Sequence, residues 1–519
     1  MSRTLILGVL CLAATLTQAA TVQVNPSTTY QTIEGIGFFD NVKPWRVKNG
    51  PFYVEVDIDA WGLWDTIAYN LGASMIRFEM PPGFTHSDGV TRDMSAGDGM
   101  GHTGNSQVEH AQKYLARGID RFIVTVWSPP GWMKASGESN GFGESTEQRD
   151  NYLLTQYYDE FADHMIAYAD SFHARTGVEL YGASPQNESR FSQPYNSCVY
   201  EPNQLRDLVK VIGPRWDAAG LSTRMYYAEH MGWAFGYYED PVRQDAAALA
   251  AVDRWAYHGY TDGVTPDPGS FDGSTANEKA VWMTETCCYS STIAQAENIH
   301  NTLGPGKGSV YMYWAFGELF SEGVGNFRWH ALKQYARYIR PGAKLIGSSA
   351  DGGLKVTAFT HAGDNTMTIA IINSGGPQSL SLSGSGMPAN FDIYQCTNSS
   401  PSVHIGSMPS SGSINLPGSS VTTLYNTPTT GLREQAREKW TQYQDKLRTA
   451  QGSPAEVRIY SLDGRLVRAA MVNGTLGSID WSSLSTGRSH AAGTYVGLVL
   501  DRDGNVLRQM NLSAVSAGR

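Results

Sequence analysis

The feature that most restricts the fold of this chain is a regular alternation of short apolar runs with helix-like segments between about residues 60 and 340. Runs at 121–126 and 309–314 have the length of buried strands, whereas segments 151–175 and 204–219 are typical of helices. Strands that alternate with helices form a parallel sheet covered by crossover helices. Because nearly eight such pairs follow one another, we expect an α/β fold, a closed (β/α)8 barrel over residues 34–341.

The composition changes near residue 341, where the barrel is expected to end. Residues 342–427 alternate polar and apolar side chains between turns rich in Ser, Gly and Pro, which predicts an antiparallel β-sandwich as a side domain. Segment 21–33 has the same strand character and is expected to join that sandwich. The charged stretch 428–454 predicts a helical spacer, and residues 455–519, with Asp-Gly turns between apolar runs, predict a small all-β module.

The first residues of the chain predict export. Residues 1–20 are typical of a secretory signal peptide, with Arg3 at the start, an apolar core at 5–16 and small residues before the expected cleavage site. That core is too short to span a bilayer, and no later segment is long enough to do so. We therefore expect a protein that is secreted or held at the cell surface. The formal net charge of −10, without a basic stripe, argues against nucleic acid as a partner.

Four cysteines follow the predicted signal peptide: Cys198, Cys287, Cys288 and Cys396. Since adjacent cysteines rarely bond each other, a disulfide from Cys198 to Cys287 or to Cys288 is one possibility, and free buried thiols are another. None of the spacings is typical of a zinc site. The sequence predicts no metal ion and no organic cofactor.

Two glutamates stand where parallel strands are expected to end. Glu188 follows the apolar run 178–181, which predicts a strand, and Glu285 ends the run 280–285. Active sites of (β/α)8 barrels lie at the carboxyl ends of the strands, and about three strand–helix units of roughly 30 residues separate the two positions. A pair of carboxylates that flank one bond is the arrangement that cleaves glycosides. The two glutamates therefore predict a glycosidase.

Five motifs in a fixed order identify a family that the chain resembles. They are YQTIEGIG at 30–37, WSPPGWMK at 127–134, SPQNE at 184–188, WMTE at 282–285 and YIRPGA at 338–343. Together they resemble glycoside hydrolase family 30, which consists of retaining barrel enzymes, and the resemblance covers about residues 22–427.

The resemblance implies roles for particular residues. Glu188 would be the acid/base and Glu285 the nucleophile. The residues implied to hold the substrate or to orient these carboxylates are Asn187 at the 2-hydroxyl, Arg77 and Tyr260 at the nucleophile, Trp127 and Trp314 as the floor of the subsite, and Trp132 and His258 beside them. Structural roles stay open for Arg77, which could instead pair with Glu79 or Asp65, for His258 as a wall residue and for Trp132 as a core residue.

The motifs also suggest which glycan is cleaved. They are most similar to the xylan-cleaving branch of the family, which predicts an endo-β-1,4-xylanase acting on plant cell walls. The arginine by which that branch often binds glucuronate is absent after the predicted eighth strand, where Glu318 stands instead. Other substrates that the family hosts are β-1,6-glucan, β-1,6-galactan and glucosylceramide, and a non-catalytic glycan-binding protein is a further alternative.

The chain departs from the family pattern at two positions near the predicted site. Ser189 follows the predicted acid/base, where the family usually has proline, and the turn 37–40 is bulkier than usual. The module 455–519 is similar to sorting domains of the type IX secretion pathway, which implies contact with a secretion machinery. The only other expected partner is the polysaccharide or oligosaccharide substrate, and a monomer is expected.

Overall fold

The structure, a computed structural model, describes a large part of the chain. The described residues are 20–42, 46–49, 52–55, 62–143, 146–231, 236–260, 279–321, 324–427, 455–461, 466–472, 493–500 and 506–514. The predicted signal peptide, apart from Ala20, and the predicted spacer 428–454 lie outside them. Within the described residues, no helix combines the length and the apolar character that crossing a membrane requires.

Eight parallel strands close into a barrel in which each strand pairs with its neighbours along the chain and the eighth pairs with the first. Barrel strands 1 to 8 are Gly35–Phe39, Met75–Met80, Phe122–Val126, Gly182–Ser184, Arg224–His230, Arg254–His258, Ala280–Glu285 and Val310–Tyr313. The expected (β/α)8 barrel is therefore confirmed, and active sites of such barrels lie at the carboxyl ends of the strands.

Apolar side chains cover both faces of the barrel strands. The interior is filled by Met75, Ile123, Tyr226, Ala256, Trp282, Val310 and Met312. The outer faces pack against the helices in a larger apolar cluster that includes Phe78 and Tyr227. Parallel strands buried on both faces read as continuous apolar runs. This double burial is the reason that most barrel strands could be predicted from the sequence.

Helices and short helical turns connect the barrel strands. They are Leu63–Asp65, Thr66–Leu71, Pro82–Phe84, Gly104–Leu115, Gly131–Met133, Thr155–Tyr157, Tyr158–Thr176, Pro202–Ala218, Glu239–Arg243, Ala246–Ala251, Thr292–Leu303, Phe316–Leu319 and Phe327–Ala336. The helix predicted from residue 151 begins only at Tyr158. The stretch before it is a loop, because buried Asn151 donates through Nδ2 to Ser192 Oγ (2.8 Å) and Leu154 N–H donates to the Met133 carbonyl (3.0 Å).

The strand predicted at 178–181 is wrong, because barrel strand 4 is Gly182–Ser184. The apolar residues of that run are used at the amino end of the barrel instead. Leu180 is buried in the core, and the ring of Tyr181 stacks on Trp282 with 5.9 Å between the ring centroids. An apolar run therefore marked a buried segment here, but burial came from packing and not from strand pairing.

A nine-stranded sheet forms the side domain. Its strands are Ala20–Thr32, Lys344–Ala350, Lys355–His361, Thr366–Asn373, Gln378–Gly384, Asn390–Thr397, Val403–Pro409, Ser413–Leu416 and Ser420–Tyr425. The strand Ala20–Thr32 pairs antiparallel with Lys344–Ala350 but parallel with Gln378–Gly384. The expectation of a purely antiparallel sheet is thus wrong at one pair, since the first strand of the chain inserts between two later strands.

A third sheet has six strands, and it combines two distant parts of the chain. Its strands are, in order, Leu466–Val472, Ala455–Ser461, Gly493–Leu500, Val506–Ala514, Phe52–Glu55 and Arg46–Asn49. All neighbouring strands are antiparallel. The predicted all-β module at the end of the chain therefore pairs with a hairpin that follows barrel strand 1. A short hairpin, Phe320–Ser321 with Val324–Gly325, completes the described strands.

Candidate active site

The carboxyl end of the barrel collects most of the polar residues singled out from the sequence. Glu285 is the last residue of barrel strand 7, and His258 is the last of strand 6. Arg77 lies within strand 2, and Asn187 and Glu188 follow strand 4. An oxygen of Glu188, a ring nitrogen of His258 and an oxygen of Glu285 all lie within 4.8 Å of one another. The structure thus brings side chains from four strands into one cluster.

Glu285 is held by two donors. Arg77 Nη1 donates to Oε2 at 2.5 Å, and the Tyr260 hydroxyl donates to Oε1 at 2.9 Å. The guanidinium also donates from Nη2 to Asn187 Oδ1 (2.8 Å) and to Glu229 Oε1 (3.0 Å). The ion pairs of Arg77 are therefore with Glu285 and Glu229, and not with the alternative partners considered from the sequence.

Glu188 occupies an unusual backbone conformation. Its φ is +46°, in the left-handed region that side-chain-bearing residues rarely adopt, and its N–H donates to the Glu229 carbonyl at 3.0 Å. A residue before proline is driven to the extended region, whereas a residue before serine is not. Ser189 therefore permits the conformation that directs the Glu188 side chain toward His258, whose Nδ1 lies 3.1 Å from Glu188 Oε1.

Glu229 is a member of the cluster whose role sequence reasoning did not identify. It lies in barrel strand 5, is fully buried, and contacts Arg77 and, at 3.6 Å, His258 Nε2. The only feature of the sequence that pointed to Glu229 was a carboxylate near the end of a predicted strand. Burial raises the pKa of Glu229, but the charges of Arg77 and His258 outweigh burial and hold that pKa below its usual value, so that Glu229 is ionised.

His258 is fully buried among carboxylates, which decides its charge. Burial by itself lowers the pKa of His258, but the negative charge of Glu285, the hydrogen bond with Glu188 and the nearby carboxylate of Glu229 raise it to about 9. His258 is then a cation at neutral pH. Burial raises the pKa of Glu285, with the positive charges of His258 and Arg77 acting in the opposite direction. The cluster therefore contains two cations beside its carboxylates.

An aromatic surface lies against this cluster. Trp127 and Trp314 lie with ring centroids 6.1 Å apart, and Phe39 stacks on Trp314 at 4.9 Å. The guanidinium of Arg77 is 4.5 Å from the Trp127 ring centroid. Phe39, which belongs to the bulky turn noted in the sequence, thus packs against the two predicted tryptophans.

Trp132 makes its contacts elsewhere. Its ring packs edge-on against Tyr157, with centroids 5.3 Å apart, and its indole N–H donates to the Thr85 carbonyl at 3.1 Å. The ring is partly buried in that position. These two interactions therefore hold Trp132 against the segments that contain Tyr157 and Thr85.

The cysteine expectation is corrected by the structure. Cys287 and Cys288 form a disulfide with each other, and Cys198 and Cys396 are free and buried. A bond from Cys198 is wrong because Cys287 and Cys288 bond each other, and the alternative of free buried thiols is confirmed for Cys198 and Cys396. Cys288 adopts φ +70°, the left-handed conformation, in the loop directly after Glu285.

Three groups of side chains in the described residues have the composition of metal ligands. The first is Glu188, His258 and Glu285, and the second is Asp40, His102 and His110. The third is Cys287, Cys288 and Glu318, in which the two sulfurs are joined as a disulfide. In the second group, Asp40 Oδ2 accepts from His110 Nδ1 (2.9 Å) and Oδ1 from the Val42 N–H (2.9 Å). Both oxygens of the Asp40 carboxylate thus accept hydrogen bonds. These bonds explain the second group as a buried polar contact that supports the fold.

A parallel eight-stranded barrel with two glutamates facing each other at its carboxyl end defines a class of protein, the glycoside hydrolases. Comparison with known proteins agrees. The model of O-glycosyl hydrolase family 30 matches residues 98–252. These findings support glycoside hydrolase family 30 as the family of this chain.

Individual relatives are distant. The chain is 25% identical over 338 residues to the glucuronoxylanase XynC of Bacillus subtilis, covering 62% of this chain and 73% of the relative. It is 24% identical over 350 residues to the endo-1,6-β-D-glucanase neg1 of Aspergillus fumigatus, covering 59% and 70%. The structure of Xyn30A, a family 30 subfamily 8 xylanase from Clostridium acetobutylicum, superposes with a TM-score of 0.64 at 20% identity, covering 78% of this chain and 99% of that one. These similarities agree with a glycosidase.

Proposed function

We propose that this glycosidase is a secreted, retaining endo-β-1,4-xylanase that works by double displacement, with Glu285 as nucleophile and Glu188 as acid/base. The observation that carries the proposal is the separation of the two carboxylates, which have oxygens within 4.8 Å of each other. Retaining glycosidases have carboxyl groups about 5 Å apart, whereas inverting enzymes need a wider gap for a water molecule.

In the first half-reaction, a Glu285 oxygen attacks the anomeric carbon while the glycosidic oxygen takes the proton of Glu188 and leaves with the departing chain. Tyr260 and Arg77, which hold the two Glu285 oxygens, keep the nucleophile in place. Arg77 also holds Oδ1 of Asn187, so that the amide Nδ2 is directed away from the arginine and can donate to the sugar 2-hydroxyl. In the second half-reaction, Glu188 takes a proton from water, which then releases the sugar from Glu285.

The charges of the buried cluster stay balanced through both steps. Before reaction, protonated Glu188 is neutral, and the cations Arg77 and His258 offset the anions Glu229 and Glu285. After the first step, Glu285 is a neutral ester and Glu188 carries the negative charge instead. The sum is zero in each state, which matters because net charge in a buried site is costly. Protonated His258, between the two carboxylates, provides this balance.

Glu318 supports xylan without glucuronate groups as the substrate. It follows barrel strand 8, and its carboxylate would repel the carboxylate of a glucuronate side group at close range. The relation to a glucuronoxylanase favours a xylan chain, and the relation to an endo-β-1,6-glucanase favours β-1,6-glucan as the second candidate.

A panel of polysaccharides tests the substrate. We expect reducing ends to be released from unsubstituted xylan or arabinoxylan at a rate at least equal to that on glucuronoxylan, with oligosaccharides rather than xylose as early products. Nuclear magnetic resonance of the first product should show the β-anomer. Exclusive activity on glucuronoxylan would contradict the argument from Glu318, and activity only on β-1,6-glucan would replace xylan by the second candidate.

Replacement of His258 tests the electrostatic argument. In His258→Gln a positive charge next to Glu285 is lost, so we expect the pKa of Glu285 to rise. The acidic limb of the pH profile of kcat/KM, which reports ionisation of the nucleophile, should then move to higher pH. An unchanged profile, or a shift to lower pH, would show that His258 is neutral in the wild type.

The same cation affects stability. Because the folded pKa of His258 is about 9, above the free value of about 6.5, protonation of His258 stabilises the fold fully below pH 6.5. That contribution is lost as the pH rises towards 9, and His258→Gln should flatten this dependence of Tm. His164→Gln is the matched control, since His164 is also fully buried but contacts Thr85 and not a carboxylate.

A further inference from the structure

The guanidinium of Arg77 has a hydroxyl partner that the sequence did not single out. Its Nε donates to Thr125 Oγ1 at 3.0 Å, and both side chains are fully buried. The same guanidinium donates from Nη1 to Glu285 and from Nη2 to Asn187. Because a guanidinium is planar and rigid, the direction of its Nε–H fixes the directions of its other N–H groups. The contact with Thr125 therefore decides where Nη1 and Nη2 point.

Thr125 lies on the inner face of barrel strand 3. Side chains alternate between the two faces along a strand, and Ile123, two residues earlier, fills the barrel interior. Arg77 stands in the same relation to Met75 in barrel strand 2. Arg77 and Thr125 are therefore neighbours at the level where the interior of the barrel changes from apolar to polar, toward its carboxyl end.

A second hydroxyl fixes the orientation of the first. Thr125 Oγ1 and the Tyr226 hydroxyl oxygen are 2.7 Å apart, and the Tyr226 hydroxyl donates to the Val124 carbonyl at 2.8 Å. Since a hydroxyl has one proton, the proton between the two oxygens is that of Thr125. The lone pairs of Thr125 Oγ1 are then free to accept from Arg77. The chain of donors runs from the arginine through both hydroxyls to a backbone carbonyl.

We propose that Thr125 is a positioning residue whose hydroxyl, oriented by Tyr226, fixes the rotation of the Arg77 guanidinium. Through that guanidinium it controls two contacts with the substrate at once, the attack by Glu285 and the hydrogen bond from Asn187 to the 2-hydroxyl. The inference rests on the proposed function, since it adds a residue to the same site. Without the Thr125 hydroxyl a buried N–H loses its acceptor, and a guanidinium that turns to find another moves both Nη groups.

Paired substrates test Thr125 in the full chain. An aryl β-xylobioside and its analogue without the 2-hydroxyl on the reacting unit differ in the contact assigned to Asn187. In Thr125→Val, which keeps the shape of the side chain, we expect kcat for the xylobioside to fall about thirtyfold, the rate equivalent of ~2 kcal/mol for a buried donor without a partner. The ratio of kcat/KM between the two substrates should fall about threefold or more, because the 2-hydroxyl contact strengthens in the transition state.

Three further variants separate positioning from a structural role. Thr125→Ser keeps the hydroxyl and should restore the ratio to that of the wild type. Tyr226→Phe removes the oxygen that accepts the Thr125 proton but keeps the ring, so the ratio should fall in the same direction, and this variant decides the question if Thr125→Val does not fold. Thr423→Val is the matched control, since Thr423 is also fully buried and donates to the Gln334 carbonyl at 2.8 Å, but in the side-domain strand Ser420–Tyr425. We expect it to lower Tm and to leave kcat and the ratio unchanged.

The ratio decides the outcome. A ratio equal to that of the wild type in folded Thr125→Val, whatever the fall in kcat, would overturn the positioning role. The same conclusion would follow if the ratio were as low in Thr125→Ser or in Thr423→Val as in Thr125→Val.

The proposed function can fail separately, because the wild type alone tests it. If the wild type does not cleave the xylobioside but cleaves an aryl β-1,6-linked diglucoside, xylan is wrong as the substrate. The ratio is then measured with that diglucoside and its 2-deoxy analogue. A lower ratio in Thr125→Val supports the positioning role there, and an unchanged ratio overturns it.

Discussion

Glu285→Gln is expected to lower kcat by about a thousandfold or more, which corresponds to at least ~4 kcal/mol of lost transition-state stabilisation. The amide has the shape of the carboxyl group but cannot form the glycosyl-enzyme ester. Its oxygen can still accept from Arg77 or Tyr260, so the fold should be retained. Release of reducing ends from xylan and the thermal unfolding of both proteins measure the two effects.

Glu79→Gln is the matched control for this variant. Glu79 is a fully buried glutamate near the end of barrel strand 2, and its Oε1 accepts from Asn196 Nδ2 at 2.7 Å. Burial, together with the charge of Asp98, raises the pKa of Glu79 well above its usual value, so that its carboxyl is protonated and resembles an amide. We expect near-normal activity. If Glu285→Gln retained more than a few per cent of activity in protein free of wild type, the nucleophile would have to be another residue.

Glu188→Ala is expected to show a loss that depends on the leaving group. On xylan and on glycosides with poor leaving groups, kcat should fall by a factor of about 10²–10⁴, the usual contribution of a general acid. Aryl glycosides with activated leaving groups need no proton, and their first step should be much less affected. Rates for a series of aryl glycosides with different leaving-group pKa values measure this dependence, which should be steeper in the variant than in the wild type.

Azide separates the two carboxylates by the stereochemistry of its product. In Glu188→Ala the glycosyl-enzyme on Glu285 still forms, and azide attacks it to give a β-glycosyl azide. In Glu285→Ala the cavity lets azide attack the substrate directly, which gives the α-product. A uniform loss for all leaving groups in Glu188→Ala, with no β-azide formed, would remove Glu188 from the acid/base role.

Periodic burial explains which parts of the fold were readable from the sequence. Most barrel strands are apolar on both faces, so their runs were visible without tertiary information. The run before barrel strand 4 was misread, because Leu180 and Tyr181 are buried by packing at the barrel's amino end. A run of four apolar residues does not tell a strand from a packed loop. The parallel pairing of Ala20–Thr32 with Gln378–Gly384 was equally invisible, since it joins segments more than 300 residues apart.

In the candidate site as well, the sequence predicted some features and only the structure showed the others. Motifs and strand-end positions singled out Glu188 and Glu285, and the structure places their oxygens within 4.8 Å of each other. Glu229 was not assigned a role, because a strand-end glutamate acquires one only through the neighbours that the barrel brings to it. A disulfide between Cys287 and Cys288 was not expected, because adjacent cysteines rarely bond each other. It is present in a loop where Cys288 adopts φ +70°.

The sequence by itself determined the barrel, the side domain and the two glutamates at strand ends, because these follow from local periodicity and from residue types at fixed spacing. Only the tertiary structure decided the charges. Whether His258 is a cation depends on Glu188, Glu229 and Glu285, which come from three other strands and surround it at distances of 3.1 to 3.8 Å. Electrostatic energies depend on distance and burial and not on position along the chain, so no pattern in the sequence could reveal them.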